Sequence, residues 1–162
     1  MMKSEKGMTF LSTAILVFVI ALLVFGVIYF VRIQAEKEKA EDIKTDMLLV
    51  QAKVKTISSE YILEKKDEIL KGTKLSDMEE NETIKTFLAK ELFDPKEKDT
   101  KYYVLNQENL NELNLNQVTL KENTYYIVEY TKNKVYYTDG FVFEDGNTYY
   151  EIKEIENLEV DE

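Results

Sequence analysis

The chain carries no histidine and no cysteine. That removes the commonest general base, the commonest transition-metal ligand, every thiol nucleophile and every disulfide. Covalent catalysis would fall to serine with lysine, or to paired carboxylates. Ser12 sits in an apolar run and Ser58-Ser59 in the middle of a helical pattern. The carboxylates are numerous, but they scatter over helix faces and turns with no pairing pattern. The one local concentration of oxygen ligands is Asp139, Glu144, Asp145 and Asn147, on two adjacent turns. Calcium takes such ligands. Their spacing matches no EF-hand loop, however, and Asp, Asn and Gly form turns without any ion. The expectation is therefore no enzyme, no cofactor and no metal, with these four residues the weak candidates for calcium.

The informative spacing lies at the other end of the chain. Lys3 and Lys6 precede Gly7, and from Met8 to Val31 there is no charged residue. A run of roughly 20 apolar residues crosses a hydrocarbon core as a helix, and in lipid a single span satisfies its backbone only as a helix. Gly26 is the one weak helix former within it. Tyr29 lies near the outer end, where aromatic rings favour the interface. The helical pattern does not stop at Arg32. Ile33, Ala40, Ile43, Met47, Val50, Val54, Ile57 and Tyr61 form one apolar stripe, with Glu36, Lys37, Glu38, Lys39, Glu41, Lys44, Lys53 and Lys55 around it. Gly72 supplies a stop signal after about Leu70. A helix from Met8 to Leu70 would be on the order of 95 Å long at its usual rise.

This layout resembles the type IV pilin and pseudopilin family. Its precursors carry a short basic leader ending in glycine, which a prepilin peptidase removes before methylating the new amino terminus. The resemblance implies cleavage after Gly7 and methylation of Met8. It makes Thr9, Phe10, Leu11 and Ser12 the opening of an assembly helix that packs on other subunits. The fifth mature position, usually glutamate in the family, is Ser12 here, which points to a minor subunit rather than a major, self-polymerising one. Tyr126-Ile127-Val128-Glu129-Tyr130 followed by Val135-Tyr136 also resembles a strand pair of pilin-like domains.

The remainder reads as a small α+β domain. Ser76-Asp77-Met78-Glu79 is a capping box that opens a second helix with Ile84, Phe87, Leu88 and Leu92 on its apolar face. Pro95 follows its end. Tyr102–Leu105 reads as a strand, Leu110, Leu113 and Leu115 as a brief helical turn, and Thr124–Tyr130 with Val135–Tyr137 as a hairpin. Asp139-Gly140 and Asp145-Gly146-Asn147 read as turns, with Phe141–Phe143 and Tyr149–Ile155 as further short strands. Most of the eleven tyrosines fall in these strands, several as adjacent pairs. One of each pair faces the core, and the other either simply favours the strand or offers a contact face to a neighbour.

The expected organisation is thus a leader 1–7, a transmembrane and assembly helix 8–31, its amphipathic extension 32–72, and a C-terminal α+β domain 73–162. The whole is a long N-terminal helix packed on a small antiparallel sheet, pilin-like. The net charge of −10 becomes −11 without Lys3, Glu5 and Lys6. So acidic a chain is a poor nucleic-acid binder, because phosphate contacts need clustered Lys and Arg. The partners expected from the resemblance are the peptidase, other pilin subunits and the membrane. The protein would be a single-pass cell-membrane protein with its C-terminal domain outside, assembled into a type IV pilus, a type II secretion-like filament or a competence filament. The alternative is an uncleaved single-pass membrane protein with an extracellular partner-binding domain. Gly7 discriminates, since only the first reading gives it a role.

Overall fold

A computed structural model describes residues 4–143 and 145–153, with side chains from residue 13 onward. The first helix, α1, runs unbroken over Ser4–Glu64. The chain divides into two compact units, Met1–Lys39 and Ala40–Glu162. The described residues of the first unit are helical, and its large apolar side chains from Ile15 to Val31 are each at least 45% exposed.

The second unit is an α+β layout built on a sheet of order β1-β2-β3-β4-β5, antiparallel throughout. The strands are β1 (Thr73–Lys74), β2 (Tyr102–Leu105), β3 (Tyr126–Glu129), β4 (Lys134–Val142) and β5 (Thr148–Glu151). The period-two alternation of these strands sorts their side chains onto two faces. Tyr103, Leu105, Tyr126, Val128, Val135, Tyr137 and Phe141 join Met47, Val50, Val54 and Ile57 of α1 in the larger core. The amphipathic stripe read from the sequence is therefore what covers the sheet. Ile33 is the exception, 47% exposed in the first unit.

The opposite face is also covered. Tyr102, Val104, Ile127 and Tyr136 pack with Leu75 and with Ile84 and Phe87 of α2 (Glu82–Leu88). A short helix, α3 (Gln107–Glu112), follows β2 and is opened by a reciprocal cap between Asn106 and Asn109.

Four local expectations are corrected. First, α1 ends at Glu64, short of Leu70 and Gly72. Lys65 adopts φ 52° and its N–H donates to the Tyr61 carbonyl at 2.7 Å, so a non-glycine residue makes the left-handed cap. Gly72 serves a close approach instead: at φ 100°, a Cβ there would meet the Val104 carbonyl oxygen at 2.6 Å. Second, Ser76 does not cap a helix. Its hydroxyl donates to Asp77, residues Leu75–Met78 form a 3₁₀ turn, and Asn81 caps α2 by accepting from the N–H groups of Thr83 and Ile84. Leu92 lies beyond that helix and is 37% exposed. Third, Asp139-Gly140 is not a turn. It is an irregularity inside β4, where the pairing register shifts between Tyr136 and Phe141 and Gly140 takes φ 67°. Across it β4 advances five residues while β5 advances two, so the ladder is interrupted there without reversing the chain. Fourth, the last strand is Thr148–Glu151, and Ile155 lies outside the described residues.

Candidate functional site

Gly7, Met8, Thr9, Phe10, Leu11 and Ser12 fall within the backbone of α1, and their side chains lie outside the described residues. The segment behind them is apolar on every side: Phe25 is 71% exposed and Tyr29 70%. A Cβ at Gly26 would meet nothing within 4 Å. A helix apolar all round is stable only where lipid or other helices surround it. This helix is long and apolar enough to cross a membrane, and it stands near the N-terminus.

The tyrosines that alternation turns away from α1 are not an open contact face. Phe93 stacks on Tyr102 at 4.5 Å between ring centroids and lies 4.7 Å from Tyr136. Phe87 meets Tyr150 edge-on at 5.6 Å, and the Lys90 ammonium sits 4.9 Å over the Tyr150 ring. Asn81 donates to the Tyr125 hydroxyl at 3.3 Å. The outward tyrosines thus form a second core beneath α2 and the Phe93 segment. Burial pushes the phenol pKa values of Tyr102, Tyr126 and Tyr130 well above their ordinary value.

The most constrained polar group is one the sequence reading passed over. Glu129, at the end of β3, is fully buried. One carboxylate oxygen accepts from the N–H groups of Lys101 and Thr131, each at 3.0 Å, and from the Thr131 hydroxyl. The other accepts from the Lys132 N–H. The carboxylate thereby fastens the entry to β2 and the β3–β4 turn to the end of β3. A glutamate inside the apolar run Tyr126–Tyr130, just before a turn, was the available signal. Beside it, the buried Tyr130 hydroxyl donates to the Lys71 carbonyl at 2.9 Å and accepts from the Lys71 N–H at 3.2 Å. Gln51 of α1 donates to the Asn133 carbonyl in the same turn at 3.1 Å. Lys132 pairs with Glu97 at 2.6 Å, half-exposed on both sides, an ion pair that contributes at most about 1 kcal/mol.

The weak calcium candidates are engaged elsewhere. Asp139 pairs with Lys121 at 2.5 Å. The Asp145 carboxylate accepts from the Tyr149 hydroxyl and from the Asn147 N–H and side-chain amide, which hold its pKa below the ordinary value. Glu144 lies outside the described residues. Among the described residues no three acidic side chains gather as they would around an ion. Of the serines, Ser58 is buried in α1 and Ser59 donates to the Lys55 carbonyl at 2.8 Å. What the geometry offers is a helix long and apolar enough to cross a membrane and a tightly tied small domain.

Comparison with family models, with curated proteins and with solved structures returns no match.

Proposed function

We propose that the chain is a structural subunit of the type IV pilin and pseudopilin kind, cleaved after Gly7, N-methylated at Met8 and assembled through its N-terminal helix. One observation carries the reading. An uncharged run begins directly behind Lys6-Gly7 and continues as one helix, α1, whose later turns lie on an antiparallel sheet. A plain membrane anchor has no need of that continuity, whereas a filament subunit uses one helix both to hold its domain and to pack on its neighbours.

In this reading the chain waits in the cell membrane with its C-terminal domain outside. It is then drawn into a pilus, a secretion-type filament or a competence filament. Ser12 assigns it a minor position: without a carboxylate there, a neighbour's amino terminus would stay unpaired in hydrocarbon, at about 2.5–3.5 kcal/mol on insertion scales. Its partners are the peptidase, other subunits and the membrane, and it carries out no catalysis.

The test is a Gly7→Leu variant in a cell that has its own prepilin peptidase. The wild type should migrate as the shorter, processed form and reach the sheared filament fraction. The variant should keep its leader and stay in the membrane. Equal mobility and equal distribution of the two would remove the reading and favour the uncleaved single-pass alternative.

A further inference from the structure

Between Thr45 and Leu63, α1 turns a second face away from the sheet. Thr45, Leu48, Ala52, Thr56, Ser59 and Leu63 follow one another at three- and four-residue steps, opposite the buried Met47, Val50, Val54 and Ile57. All six are exposed, Leu63 at 85%, and none is charged, in a chain where 32% of residues are. The three hydroxyls on this face are turned back onto their own helix. Thr45 donates to the Glu41 carbonyl at 2.9 Å, Thr56 to Ala52 at 3.1 Å, and Ser59 to Lys55 at 2.8 Å. What the face presents outward is therefore largely methyl and methylene. Its small side chains would let another helix approach to the usual interaxial distance of about 8–10 Å.

We propose that this face packs on the same face of a second copy, in parallel and in register, while both reside in the membrane. The inference rests on the membrane-subunit reading above. The flanking charges select the orientation. Lys55 lies on one side of the stripe, and Asp42, Asp46, Glu60 and Glu64 lie on the other. Parallel helices set residue i on one flank against residue i+5 on the other. That places Lys55 of each copy opposite Glu60 of the other, and sets one like-charge pair, Glu41 opposite Asp46, at the lower edge of the contact. An antiparallel pair would instead set Asp46 against Glu60 and Asp42 against Glu64. Lys53, on the acidic side, falls opposite Leu48 of the second copy, where its methylene stem covers apolar surface. Below Thr45 the face carries Glu41, so the contact begins at Thr45.

The size of the stripe says where such a pair exists. From Thr45 to Leu63 it runs about 27 Å, and at about 10 Å wide it offers on the order of 300 Å² per copy. A stable complex in free solution takes about 800 Å² per partner. The contact suits copies confined to one bilayer, where anchoring supplies the effective concentration.

The absence of native cysteine makes the test direct. The full chain is placed in membranes with single substitutions Ala52→Cys, Ser59→Cys or Leu22→Cys, and with Glu108→Cys, exposed on α3, as the background. Under mild oxidation, Ala52→Cys and Ser59→Cys should each form dimers about tenfold above the Glu108→Cys level, because anchoring holds the two thiols together. Lys55→Glu in the Ala52→Cys background should lower the dimer fraction by a factor of about two to five, and adding Glu60→Lys should restore it. Cross-links only between mixed Thr45→Cys and Leu63→Cys chains would mean antiparallel packing. Cross-links only between mixed Ala52→Cys and Ser59→Cys chains would mean a stagger. Either result overturns the proposal. Dimers from Leu22→Cys alone overturn this face while leaving the membrane-subunit reading standing. A chain missing from the membrane fraction overturns both.

Discussion

Glu129→Gln is the substitution with the sharpest consequence. The side chain keeps its shape and loses its charge in a site where every partner is a donor: Lys101 N–H, Thr131 N–H, Thr131 O–H and Lys132 N–H. The amide oxygen can replace the oxygen that serves Lys101 and Thr131. Its NH₂ then faces the Lys132 N–H, donor against donor, and that bond is lost. Hydrogen bonds to a charged acceptor contribute about 1.5–3 kcal/mol, against about 0.5–1.5 kcal/mol for neutral pairs. One bond lost and three weakened set an upper bound of about 4–8 kcal/mol, and because Thr131 and Lys132 are exposed and water takes up part of their loss, about 2–4 kcal/mol is expected. At about 4 °C per kcal/mol for a unit of this size, Tm should fall by about 8–16 °C. The assay is thermal unfolding of the Ala40–Glu162 unit by circular dichroism, with amide exchange read at Lys101, Thr131 and Lys132. A Tm unchanged within about 1 °C, with exchange at those three amides unaltered, would refute the account of Glu129 as the tie between β2 and the β3–β4 turn.

Other expectations concern the same unit. Val54→Asp places an unpaired carboxylate at a fully buried position beneath the sheet and should destabilise by about 3–5 kcal/mol in chemical denaturation. Gly140→Ala forces φ 67° on a residue whose Cβ would lie 2.7 Å from Thr148 Cγ2. It should cost about 1–3 kcal/mol and loosen β5, seen as faster exchange along Thr148–Glu151. Tyr102, Tyr126 and Tyr130 have folded pKa values raised above those of the unfolded chain. Their stabilisation is therefore full below the unfolded value of about 10 and is lost as pH rises toward the folded values. In an alkaline titration, these three should ionise only together with unfolding.

The parts legible in the sequence were those fixed by periodicity. The α1 stripe from Ala40 to Tyr61 and the alternation in β2, β3 and β4 follow from burying one face against another. Boundaries set by single contacts were less legible. Lys65 caps α1 because the chain must turn there toward Lys71, which Tyr130 holds from both sides. The two-residue β1 has no pattern of its own, since its partner β2 supplies the pairing. Asp139-Gly140 has the composition of a turn, and only the pairing with β5 on both sides of it shows that β4 runs on through it. The outward tyrosines read as exposed because nothing in their spacing shows that α2 and Phe93 return over them. Glu129 was hidden by its type: a lone carboxylate reads as solvent-facing, and the donors that bury it come from Lys101, Thr131 and Lys132.

The proposed function turns on the bond between Gly7 and Met8. The most direct measurement is the intact mass and N-terminal sequence of the chain taken from the membranes of a cell with its own prepilin peptidase. A chain that begins at Met8 and is heavier by one methyl group at its amino terminus is expected. A chain that still begins at Met1 in that cell would contradict it.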